Sequence, residues 1–140
     1  MTRTYVVGEI SDELREYHRL SKEVLDRTLA ATRAGVNGAD LHRIACDHFH
    51  ENGYKTNLHK EPDEVLQDGF FHALGHGVGL EVHEQPSMGR IGEELVAGDV
   101  ITLEPGLYRR GYGGVRLEDL VLVTEEGAEN LTDYPYDLEP

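Results

Sequence analysis

Between Phe71 and Glu84 the chain places three histidines, His72, His76 and His83, and three glycines, Gly75, Gly77 and Gly79, and this stretch limits the possible folds more than any other. Alternate glycines strip side chains from around His76, so that a neighbouring backbone or a ligand can come close. Imidazole is the commonest metal ligand and titrates near neutrality, so this density points to a site. A bend in a sheet with ordinary hydrogen-bonded histidines would have the same composition. From Val78 to Val82 the apolar residues alternate, which predicts a strand.

Two acidic positions downstream favour the site. Thr102-Leu103-Glu104-Pro105-Gly106-Leu107-Tyr108 sets a carboxylate at the end of the apolar run Val100 to Leu103, directly before a Pro-Gly turn. Val115 to Val123 is β-prone yet carries Glu118 and Asp119. A carboxylate in a buried strand is costly unless it is paired or bound to a metal. Arg109 to Gly114 reads as a hairpin loop between the strands bearing Glu104 and Glu118, which would bring the two acids together. His76 and His83 differ by an odd number, so a regular strand would turn them to opposite faces. Both reach one cleft only if the glycines bend or bulge the strand.

The ordered segments GHGVGLEVHE, TLEPGLY and VRLEDLVLVTEEGAENLT resemble the C-terminal half of the Xaa-Pro peptidases, the prolidase and aminopeptidase P group of pita-bread metallopeptidases. That resemblance implies an α+β fold, a partial pita bread with a curved antiparallel sheet and helices on its outer face, in one incomplete domain over residues 1–140. It implies His76 as the imidazole ligand of a two-metal centre, Glu104 as a ligand of the same metal and candidate general base, and Glu118 as the carboxylate bridging both metals. His72 and His83 would hold the leaving group and the scissile carbonyl, and Arg116 would be a cation beside the site. Hard oxygen donors with one imidazole suit Mn, Co, Fe or Zn. In the family two aspartates from an earlier hairpin complete the centre, and Met1-Thr2-Arg3-Thr4 matches the residues that follow the second of them. The expectation is therefore a single metal site or none in this chain, with little peptidase activity of its own. The methionine aminopeptidase branch is disfavoured, because Asp119 stands where that branch carries a histidine.

The rest of the chain reads as scaffold. Thr2 to Val7 predicts a short strand, and Ser11 or Asp12 caps a helix running to Gly35. Asn37 to Asp40 opens a second helix that ends near Asn52 and Gly53. His42, His48 and His50 are read as surface or partly buried helix residues, and Cys46 as a small core residue that has no disulfide partner. Tyr54 to Asp68 is a loop with a solvated His59, Glu84 to Gly89 is turn chemistry, and the tail from Asp133 frays.

The balance of 27 acidic against 13 basic residues repels nucleic acid and anionic membranes, so neither is an expected partner. The scarcity of lysine matches a high-salt cytoplasm, where screening relieves self-repulsion. No apolar run approaches a membrane span, which makes cytoplasmic residence the default expectation. The expected partners are a proline-containing peptide and either a second copy or a complementing chain. Three roles follow: an Xaa-Pro peptidase domain, a non-catalytic peptide-binding or partner subunit on the same scaffold, or a truncated reading frame.

Overall fold

The computed structural model describes residues 1–139. Helix α1 (Asp12–Ala31) begins where Ser11 accepts a hydrogen bond from the Leu14 N–H, and Asp12 and Glu13 occupy its first turn, where the helix dipole favours acids. Its inward stripe is Tyr17, Leu20, Ser21, Val24, Leu25 and Thr28. The helix stops at Ala31 rather than at Gly35. Thr28 and Thr32 bond back to the carbonyls of Val24 and Thr28 at 2.9 and 2.8 Å, and Gly35 falls in the turn beyond, with φ of 81°. Such hydroxyls compete with the helical ladder.

Helix α2 (Gly38–Glu51) is capped by the Asn37 side chain on the Ala39 N–H and is followed by Gly53 at positive φ. Its histidines differ from expectation, because His42 and His48 are buried. His48 Nε2 lies 3.0 Å from Glu23 on α1, and His42 Nε2 donates to Asn57 Oδ1 at 2.9 Å. Cys46 is fully buried, which pushes its thiol up to about 11.

The strands are β1 (Gly75–Gly77), β2 (Glu84–Met88), β3 (Val100–Leu103), β4 (Gly106–Arg109), β5 (Gly113–Arg116), β6 (Asp119–Val123) and β7 (Ala128–Asn130). An antiparallel five-stranded sheet runs β2-β1-β3-β6-β7, and β4 and β5 form a separate hairpin. α1 packs on β3, β4, β5 and β7, while α2 packs on α1 and β2. Leu20, Leu25, Phe49, Phe70, Leu103 and Leu117 are among the fully buried side chains between these layers. The architecture is α+β, as the resemblance implied. Among the described residues no helix is long and apolar enough to cross a membrane.

Several local expectations are corrected. Val78 to Val82 is irregular, not a strand. Val78 N–H still reaches the Val100 carbonyl at 2.8 Å, but beyond it Gly79 N–H bonds to the Glu81 carbonyl and Glu81 N–H to the Glu84 carboxylate, so local partners replace the ladder, and Leu80 and Val82 face solvent. Glu84 to Met88, read as turn chemistry, is β2. Only Thr2 of the segment Thr2 to Val7 forms a β-bridge, to Glu118. The tail does not fray at Tyr136, whose hydroxyl donates to Asp119 at 2.5 Å. His59 is half-buried, bonded to Thr56 and stacked on His50.

Candidate functional site

The pairing of β3 with β6 ends at Leu103 opposite Asp119, and that of β4 with β5 begins at Gly106 opposite Arg116. Glu104 and Glu118 occupy the step between these two ladders. There Leu117 N–H still reaches the Pro105 carbonyl at 3.2 Å, so the chain crosses from sheet to hairpin with both acids on the same break. Glu104 is tied sideways to the histidine segment, its N–H donating to the Leu74 carbonyl at 2.7 Å. These contacts gather His76, His83, Thr102, Glu104, Arg116 and Glu118 around an open cleft of about 380 Å³ that Met1, Val78, Val82 and Leu120 also line.

The pairing of β1 with β2 shifts register between His76 and Gly77. That irregularity, followed by the loop 78–83, brings the His76 and His83 rings to 4.2 Å between centroids, as the odd spacing required. Gly75 permits the arrangement: a Cβ there would stand inside the Thr102 carbonyl. Thr102 also fixes His76 from below, its hydroxyl accepting the His76 N–H at 3.1 Å.

Hydrogen-bond chemistry settles the histidine tautomers. His76 Nδ1 lies 3.0 Å from the Gly77 carbonyl, which can only accept, so Nδ1 carries the hydrogen and Nε2 of the neutral ring is a bare lone pair. That lone pair faces Glu104 Oε1 at 3.5 Å. Two acceptors so placed suit a shared cation. Burial, and then the Glu118 charge, raise the Glu104 carboxyl above its ordinary value, while His76 and, from 3.8 Å, Arg116 oppose the shift. The Glu118 carboxylate is already engaged, accepting a hydrogen bond from the Thr2 hydroxyl. An imidazole with two carboxylates is chemistry that fits a divalent metal. The number of donors falls short, since among the described residues no three His, Cys, Asp or Glu side chains stand together closely enough to hold one.

His72 lies behind this cleft rather than on its wall. Its Nδ1 donates to the Ala73 carbonyl at 2.7 Å and its Nε2 is 3.0 Å from the Tyr108 hydroxyl, which therefore donates to it. Burial lowers the His72 imidazole and raises the Tyr108 phenol, so both stay neutral. Thr102 and Tyr108 lie inside the TLEPGLY segment, yet nothing in their residue type marked them as holding the two histidines. Thr2 and Arg3 reach the site from the far end of the sequence, and although their segment figured in the family resemblance, nothing in it foretold their contacts with Glu118 and Asp119.

A family model described as metallopeptidase family M24 matches residues 1–125. The chain is 41% identical over 133 residues to the Xaa-Pro dipeptidase of Pyrococcus furiosus, covering 94% of this chain and 35% of that protein. Among solved structures, the X-Pro aminopeptidase from Thermotoga maritima superposes with a TM-score of 0.85 at 37% identity, over 98% of this chain and 35% of that one. The Xaa-Pro dipeptidase from Bacillus anthracis gives 0.84 at 36% identity, over 98% and 36%. The chain thus spans about a third of the length of the relatives it matches.

Proposed function

Because the chain belongs to metallopeptidase family M24, we propose that it supplies the imidazole and dicarboxylate face of a centre that hydrolyses the peptide bond preceding proline. The observation that carries this reading is the bare His76 Nε2 opposed to Glu104 Oε1 beside Glu118 in one cleft. His76, Glu104 and Glu118 would be part of the ligand set of a divalent metal, completed by donors from outside this cleft, and the metal would supply Lewis acidity when bound. Glu104, held partly protonatable by its burial and by Glu118, takes the proton from the attacking water. His83, on the cleft wall, is free to donate to a peptide carbonyl, and Arg116 balances the two acids. His72 acts from behind the wall through its link to Tyr108.

The shortage of donors supports a second element of the proposal: the remaining ligands come from outside residues 1–140, in a longer polypeptide or a partner chain. By itself the chain then binds a single metal weakly and does not turn over substrate. Work in the cytoplasm on proline-containing peptides belongs to the same reading. The same shortage favours, as the alternative, a non-catalytic peptide-binding subunit.

Calorimetric titration with Mn or Co tests the proposal, alongside hydrolysis of an Xaa-Pro dipeptide by the 140-residue chain. Binding that disappears in His76→Ala and in Glu118→Ala, without turnover, is the expected result. A folded chain that binds neither metal sinks the reading of the site, and efficient turnover sinks the claim that donors are missing.

A further inference from the structure

Glu118 belongs to neither strand that flanks it, since β5 ends at Arg116 and β6 begins at Asp119. Its direction must therefore be set by something other than a continuous ladder. Thr2 and Arg3 make the missing contacts. Thr2 pairs with Glu118 in both backbone directions, at 3.3 Å from Thr2 N to the Glu118 carbonyl and 3.0 Å from Glu118 N to the Thr2 carbonyl. The Thr2 hydroxyl is also within 3.4 Å of Arg116 Nη2, which can only donate, so the hydroxyl hydrogen is left for Glu118 Oε2.

Arg3 holds the opposite face. Its guanidinium donates to Asp119 Oδ1 at 2.8 Å, to the carbonyls of Thr2 and Glu118 at 3.0 and 2.9 Å, and to those of Pro135 and Tyr134 at 2.9 and 3.0 Å. Both members of the ion pair are almost fully buried, with side-chain exposures of 2% and 1%. Asp119 also accepts from Asn130 at 2.6 Å and from Tyr136. Residues 118 and 119 thus point opposite ways, one into the cleft and one into a saturated buried network. A turn of either moves both.

We propose that Thr2 and Arg3 are positioning residues for the cleft: Arg3 locks the backbone through Asp119 and the Glu118 carbonyl, and Thr2 occupies one carboxylate oxygen so that the other is presented beside Glu104. This rests on the metal-site reading above for its functional meaning, but not for its structural content. Outer partners of a metal ligand set its affinity by orienting it, typically by about 10- to 100-fold.

The test uses the 140-residue chain with Thr2→Val, Thr2→Ser and Arg3→Lys. Mn titration is followed by paramagnetic broadening of the His76 ring and Glu118 side-chain signals, which registers weak binding. Thr2→Val keeps the volume and the backbone bonds, and its titration midpoint is expected about tenfold higher than wild type, with Thr2→Ser close to wild type. Equal midpoints for Val and wild type, or for Val and Ser, overturn the role of the hydroxyl. Arg3→Lys cannot reproduce the fork, and hydrogen exchange at the Glu118 amide is expected to accelerate about tenfold relative to the Val121 amide. Unchanged exchange overturns the clamp whether or not metal binds. Wild-type chain that shows no broadening, with accelerated exchange in Arg3→Lys, rejects the metal site while leaving the backbone lock established.

Discussion

Nε2 of His76 and Oε1 of Glu104 face each other across 3.5 Å, because the Nδ1 hydrogen of His76 is committed to the Gly77 carbonyl and turns Nε2 toward the carboxylate. Glu104 carries a local cost that comes from its burial and from the neighbouring Glu118 charge, which together raise its carboxyl, and a cation bound between these side chains would remove it.

Glu104→Gln should make the metal-free chain more stable at neutral pH. A carboxyl whose folded value is raised above the ordinary 4.5 contributes fully to stability below that value. The contribution is lost as pH rises through the folded value, because ionisation is then harder in the folded state. Thermal melts at pH 7 should therefore favour Glu104→Gln, with the advantage shrinking toward zero as pH falls below 4.5. A variant less stable than wild type at pH 7 would show that ionised Glu104 is not strained.

Arg3→Met should cost about 3–5 kcal/mol, the range for leaving one member of a buried ion pair unpaired. Chemical denaturation measures the loss. The double variant Arg3→Met with Asp119→Leu should recover part of it, and a double variant no better than the single would show that the unpaired Asp119 charge is not the source.

Gly75→Ala and Gly79→Ala separate rigid from yielding neighbours. At Gly75 a methyl meets the Thr102 backbone, whereas at Gly79 it meets only the end of the Glu84 side chain. The first should lower the free energy of unfolding by about 3 kcal/mol, the scale of severe overpacking, as read by chemical denaturation. The second should be nearly neutral. Equal effects would contradict the close pairing of β1 with β3.

Tyr108→Phe should leave His72 Nε2 buried without a donor, at a cost of about 1–3 kcal/mol. Nitrogen-detected NMR of the ring should show the Nδ1–H tautomer in wild type and a loss of that preference, or entry of water, in the variant. An unaltered ring spectrum would mean that the Ala73 carbonyl alone sets the tautomer.

What the sequence disclosed and what it hid divide along range of interaction. Helix starts at Ser11 and Asn37 were legible because caps are local, and so was the hairpin that brings Glu104 and Glu118 together. The requirement for a bulge between His76 and His83 followed from parity alone, and the register shift after His76 meets it. The loop 78–83 misled because its alternating apolar residues Leu80 and Val82 are exposed, so their pattern reports no buried face. The tail misled for the opposite reason. Tyr136 has no periodic neighbours, yet its ring lies 4.1 Å from the Arg3 guanidinium and its hydroxyl on Asp119, contacts that no window of sequence contains. Metal ligation by His76, Glu104 and Glu118 was implied by resemblance alone, and the geometry shows that the three side chains line one cleft.

The Arg3 to Asp119 bond closes a loop of 116 residues, nearly the whole chain. Closing it costs conformational entropy that nothing local repays, so it is expected to form only after the sheet and helices have assembled. Interactions absent from the transition state act on the unfolding rate. The ion pair is therefore a latch on the lifetime of the native state: stopped-flow kinetics of Arg3→Met should show a faster unfolding limb with the folding limb little changed. The same residues that aim a carboxylate into the cleft would then also determine how long, once folded, the cleft persists.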